Sequence, residues 1–169
     1  APDYAPLLYE QGRLHQAQGD TTTAQKHFER AHAADTTYVV PEVATLRLLL
    51  DQEQSEQALE QANTTLQSAP YWPVYFAKAR ALGQLERYNE AVNVLRERCE
   101  QLNEKSYALY ALMAELYVNE AAWTVAAWAV NEADSYEPAR RGFVSRLLSA
   151  REQVEATDKG SLDAGRNAP

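Results

Sequence analysis

Cysteine occurs once in the 169 residues, at Cys99, so neither an intrachain disulfide nor a thiolate metal cage is available. A lone thiol is tolerated in cytoplasm and periplasm alike, so it leaves the compartment open, and its expected place is that of a small buried helix residue. Glycine, at six residues, and proline, at seven, are scarce, which excludes a collagen-like or loop-dominated chain. Basic charge is also in deficit. The 16 lysines and arginines against 24 acids leave a net charge of -8, and the summed field repels phosphate backbones and anionic lipid, so no nucleic-acid partner is expected. Arg140, Arg141, Arg146 and Arg151 run against that balance and read as a solvated helix face near the C-terminal end. The longest weakly polar stretch, Ala121 to Val130, falls far short of the ~20 residues that span a bilayer, so no direct membrane insertion is expected. The sequence opens on Ala1 without a charged-then-apolar leader, and any signal or anchor is expected outside these residues.

Catalytic signatures are missing as well. There is no HExxH, no phosphate-cradling glycine loop, no GxSxG and no metal-spaced His/Cys cluster, so neither enzyme chemistry nor a cofactor is expected. The three imidazoles do not suggest a metal site: His27 and His32 are five apart, the wrong spacing for one helix face, and His15 replaces a core-facing residue.

What is abundant is helix-forming: Ala, Leu, Gln, Glu and Arg dominate a chain that is 46% hydrophobic. Ala24, Ala58, Ala91 and Ala126 recur in matching contexts at spacings of 34, 33 and 35, and Pro70 and Pro138 each follow one of these alanines by twelve residues, where a helix must stop. Apolar residues recur at three and four within each repeat. Breaks fall mid-repeat at Gly19-Asp20, Gln52-Glu53-Gln54, Glu86-Arg87 and Asn119-Glu120, so each repeat reads as two helices of about a dozen residues joined by a tight turn. The expected architecture is all-α.

A 34-residue helix-turn-helix of this pattern resembles the tetratricopeptide repeat. That family wants large residues at positions 4, 7 and 11, small ones at 8 and 27, Ala at 20, an aromatic or large residue at 24 and Pro at 32. In the first repeat Leu8, Gly12, Ala24, Phe28 and Ala31 comply, while Gln11, His15 and Thr36 depart. The fourth complies throughout, with Tyr110, Met113, Ala114, Tyr117, Ala126, Val130, Ala133 and Pro138. The third keeps Tyr75, Ala79, Leu82, Ala91 and Leu95 but departs at Lys78, Arg98 and Asn103. The second keeps only Leu49, Ala58 and Pro70; Glu42, Thr45 and Leu46 leave the register of its first helix open.

The resemblance implies a right-handed superhelical solenoid of four repeats, at residues 5–38, 39–71, 72–106 and 107–138. Residues 1–4 would end a preceding repeat or form a linker. Residues 139–156, with Phe143, Leu147 and Val154 on one side, would form a capping helix, and 157–169 a disordered tail.

In the family, positions 2, 5, 9, 12 and 13 of each first helix line the concave surface, which holds a partner. Carried over, position 5 gives Tyr9, Val43, Phe76 and Ala111, and position 9 gives Arg13, Arg47 and Arg80, with Glu115 in the fourth repeat. Gln16, Leu50, Gln84 and Asn119 complete the set at positions 12 and 13. Guanidinium groups stacked beside an apolar stripe suit a peptide or protein segment with carboxylates and apolar anchors. The competing reading pairs the arginines with local acids such as Glu10 or Glu42. The Lys/Asn clamp with which some relatives hold a chaperone tail is absent: Tyr9, Arg13, Ala44 and Ala77 occupy its slots.

Of the tryptophans, Trp123 is expected to pack and Trp72 to lie in a packed linker. Trp128 is expected beneath the capping helix or on a second contact surface. The functional expectation is a protein-binding scaffold, within a larger chain or complex. The alternatives are a structural segment of a longer solenoid and a regulatory domain of a multidomain enzyme.

Overall fold

Three mid-repeat turns share one backbone device. Gly19, Glu53 and Glu86 all adopt the left-handed conformation, with φ of 83°, 58° and 60°. Each reverses the chain within a few residues, so the helices on either side lie against one another. The structure, a computed structural model, describes residues 4–102, 106–120 and 122–137. Within these it contains eight helices and no strand: α1 (Ala5–Ala17), α2 (Thr21–Ala34), α3 (Val40–Asp51), α4 (Ser55–Ser68), α5 (Trp72–Gln84), α6 (Tyr88–Leu102), α7 (Tyr107–Asn119) and α8 (Trp123–Tyr136). Pro138, the capping stretch 139–156 and the tail 157–169 lie outside the described residues.

Prolines set several helix starts. Pro6, Pro41 and Pro73 stand in the first turns of α1, α3 and α5, where the missing amide has no intrahelical partner to lose. The turn into α2 is fixed by Asp20, whose carboxylate accepts the Thr23 amide at 3.0 Å.

The chain divides into two compact bodies, Ala1–Gln101 and Leu102–Pro169. In the first, α1 packs on α2 and α3 on α4, and the pairs join through α2 on α3, α4 on α5 and α3 on α5. Its core contains Val43, Leu46, Leu49, Leu50, Ala58, Ala62, Val74, Ala77 and Ala81 in one cluster, and Ala24, Phe28 and Leu48 in another. In the second body α7 packs on α8, burying Leu109, Leu112, Met113 and Leu116 of one helix with Ala126, Ala129, Val130 and Ala133 of the other.

The eighth and twenty-fourth repeat positions explain how the two helices of a pair fit. The first pair sets Gly12 against Phe28, so closely that a Cβ on Gly12 would meet the ring at 2.5 Å. The second reverses the sizes: Leu46 and Ala62, both fully buried, share one cluster. The third holds Ala79 and Leu95, and the fourth Ala114 and Val130, again buried. A large residue on one helix goes with a small one on the other, as close packing requires. The departure of Leu46 from the family pattern is therefore compensated by Ala62. Thr45, the neighbouring departure, is buried with its hydroxyl donating to the Pro41 carbonyl at 3.1 Å.

Gly12→Ala tests this fit. Alanine's helix propensity favours the substitution by about 1 kcal/mol, whereas forcing a methyl into the Phe28 ring costs roughly 1 to 3 kcal/mol. A net loss of stability in urea titration is expected, largely recovered when Phe28→Leu is added; a stabilised Gly12→Ala protein would contradict the packing described.

Candidate functional site

The first helices of the first body present a shared inner face. Tyr9, Arg13, Gln16, Val43 and Arg47 come together there, lining a cleft of about 320 Å³ with Val40, Ala44, Tyr71 and Pro73. Tyr9 forms one wall. Its ring lies 5.6 Å from Phe28 and 5.9 Å, edge-on, from Tyr38. Burial, and then the neighbouring Tyr9 and Glu10, push the Tyr38 phenol above its usual pKa, so it stays neutral.

The two cleft arginines differ. Arg13 pairs with Glu10 one turn away at 3.3 Å, with both side chains more than half exposed. Such pairs contribute only about 0.2 to 1 kcal/mol, so a ligand carboxylate can replace Glu10 at small cost. Arg47 is exposed and makes no ion pair among the described residues. Glu42, the acid expected as its neighbour, instead lies 3.3 Å from His32 Nε2, bridging α2 and α3.

Beside the cleft, and sharing Val40 and Tyr71 with it, lies an open and largely apolar hollow of about 400 Å³ between the loops that enter α3 and α5, lined by Thr37, Tyr38, Val39, Ala69 and Pro70. Val40 and Pro73 stand at position 2 of their repeats, so the family pattern contained the signal for both. The apolar hollow had no signal at helical positions, because loops build it.

The remaining expected site residues have other surroundings. Leu50 is buried in the core cluster of α3 to α5, because α3 packs on α5 as well as α4, and it does not reach the cleft. The Gln84 amide is occupied in holding three helices together: its oxygen accepts from the Ser55 hydroxyl at 2.7 Å and its nitrogen donates to the Leu50 carbonyl at 3.1 Å. Phe76 and Arg80 lie on α5 outside the cleft lining, with the Phe76 ring 5.4 Å from that of Trp72. Trp72 itself is the first residue of α5 rather than part of a linker. Ala111, Glu115 and Asn119 lie on α7 in the second body, with Glu115 and Asn119 exposed.

Trp128 is 46% exposed, its ring edge-on to Tyr110 at 5.7 Å. The Trp123 side chain lies outside the described residues.

Among the described residues no group of three or more His, Cys, Asp or Glu is placed to hold a metal ion, and no helix is long and apolar enough to cross a membrane. His15 and His27 nevertheless meet across α1 and α2 as a stacked pair, with centroids 5.2 Å apart, and the Nδ1 atom of His27 is buried without a partner.

Comparisons with known proteins agree with this architecture. Residues 73–103 match the family model described as tetratricopeptide repeat. A solved structure of a thermophilic tetratricopeptide repeat protein from Thermus thermophilus superposes with a TM-score of 0.74 at 20% identity, over 89% of this chain and 84% of that one. No curated protein matches the sequence. The chain therefore carries a tetratricopeptide repeat at 73–103 within a fold of that type.

The setting of His27 makes stability depend on pH. Burial, followed by the nearby charges of His15 and Arg30, holds the His27 imidazole below the ordinary histidine pKa of about 6.5. The unfolded chain thus binds its proton first, and stability present above about pH 6.5 is lost as pH falls toward the depressed folded value. Urea titrations at pH 7.5 and 5.5 are expected to show this loss, and His27→Gln to reduce it; an equal loss in the variant would contradict the assignment.

Proposed function

We propose that the cleft of the first body binds an extended or helical segment of a partner protein, with a carboxylate on Arg47 and Arg13 and apolar side chains against Tyr9, Val40 and Tyr71. Tetratricopeptide folds serve as protein-interaction scaffolds, and this chain carries no catalytic signature in its sequence. The observation that supports the reading most is the convergence of two guanidinium groups on one cleft, one of them without an acidic partner among the described residues. In a chain of net charge -8 that local excess of positive charge gives an acidic segment a place to settle.

Arg80, one pair further along, extends the positive column toward a longer ligand, while Gln16 supplies an amide for its backbone. The arginines supply on-rate and orientation; the aromatic and aliphatic walls supply most of the affinity, because an exposed ion pair contributes no more than about 1 kcal/mol. The alternatives, a structural segment of a longer solenoid and a regulatory domain of a larger enzyme, leave the same cleft available.

Decapeptides combining Asp or Glu with Leu or Phe serve as probes in isothermal titration. The expected affinity is micromolar, about -8 kcal/mol, falling roughly tenfold in Arg13→Glu/Arg47→Glu/Arg80→Glu with a flatter salt dependence. Affinity and salt dependence equal to wild type in the triple variant would retire the cleft as the binding site.

A further inference from the structure

Within the first body, α3 packs on α2 and α5 on α4, and both first helices bury the third and tenth positions of their repeats. These positions hold Pro41 and Leu48 in α3, and Val74 and Ala81 in α5, all buried. Leu48 shares a cluster with Ala24 and Phe28 of α2, and Val74 and Ala81 share one with Ala58 and Ala62 of α4. The receiving surface is the same each time: the ridge formed by the twentieth and twenty-fourth positions of a second helix, four residues and so about one turn apart.

In α1 the third and tenth positions are Leu7 and Leu14, and they are 56% and 59% exposed. Seven residues separate them, so they lie on one side of the helix two turns apart, and the exposed Tyr4 ring stands one further turn toward the N-terminus. A single exposed leucine requires no explanation. Two leucines at the two positions that both following first helices bury form an inter-helix surface with no partner helix among the described residues.

We propose that this face of α1 docks an amphipathic helix of a partner protein, one that presents an alanine followed four residues later by an apolar side chain. That chemistry is set by continuity with the α2–α3 and α4–α5 interfaces, in which α2 offers it to Leu48 and α4 offers it to Val74 and Ala81. The flank adds no net charge, since Glu10 and Arg13 are paired with each other. A second copy of this chain does not supply the ridge: among the described residues Ala24 and Phe28, Ala58 and Ala62, Ala91 and Leu95, and Ala126 and Val130 are all buried. The face is separate from the arginine cleft, none of whose lining residues belongs to it.

The test uses the full chain and a hydrocarbon-stapled helical peptide with the α4 sequence, residues 55–68, stapled between positions 56 and 60, which are exposed in the protein. Methyl NMR is expected to show Leu7 and Leu14 shifting with an affinity of roughly 1 mM or tighter. The affinity is expected to fall at least tenfold when the peptide's two ridge alanines are replaced by Glu, or when the protein carries Leu7→Glu/Leu14→Glu. The protein variant is expected to melt like wild type, because both side chains are mostly exposed, and Arg47→Glu/Arg80→Glu, which leaves the Arg13–Glu10 pair intact, is expected to bind the stapled helix unchanged. Three results would overturn the proposal: Leu7 and Leu14 methyls unmoved at about 1 mM peptide, shifts confined to Val74 and Ala81 as the peptide displaces α4, or concentration-dependent shifts without peptide, which would make a second copy the occupant.

Discussion

Everything in this fold depends on two helices approaching closely enough for a bulky side chain on one to fill the space left by a small one on the other. In the first pair Phe28 lies where a β-carbon on Gly12 would have to be. In the second, Leu46 supplies the bulk and Ala62 the room. The constraint acts on the summed volume of the two sites, not on either site alone, because interiors are packed to crystal density and tolerate neither void nor overlap. The sizes can therefore be exchanged between helices without changing the architecture.

That exchange allows the first helices to keep a free inner face. With the pair contact satisfied on one side and the neighbouring pair on another, part of the inner face of the first helices stays out of the core, and the chain places Tyr9, Arg13, Val40, Arg47 and Pro73 there. Rings that are themselves packed, Tyr9 on Phe28 and Tyr38, give the cleft a firm wall. The inter-repeat loops add an apolar hollow alongside. The rigidity of the scaffold and the availability of the site thus have one physical source.

The all-helical architecture was legible in the sequence because the recurring alanines, the three-and-four spacing of apolar residues and the mid-repeat breaks all point one way. The left-handed turns at Glu53 and Glu86 fall within breaks read from composition alone. Reading α3 position by position was harder. Leu46 departs from the family pattern, and its compensation lies sixteen residues away in Ala62, on the partner helix. Half of the cleft was likewise legible from helical spacing. The partners of Gln84 were not legible for a different reason: Ser55 and the Leu50 carbonyl are 29 and 34 residues distant, and no local pattern reports such contacts. Leu50 shows the same limit, since its burial follows from α3 touching α5. The Arg13–Glu10 pair, three residues apart on one helix, was visible among the local acids.

The central claim is that volume is shared between the eighth and twenty-fourth positions, and a double-mutant cycle on the second pair tests it most directly. Leu46→Ala leaves a cavity, at about 2 to 5 kcal/mol, and Ala62→Leu overpacks, at about 1 to 3 kcal/mol. The double variant restores the arrangement of Ala79 and Leu95, so in urea titration it is expected to lose less than the two singles combined by about 0.5 to 3 kcal/mol. Strict additivity of the two losses would contradict the account.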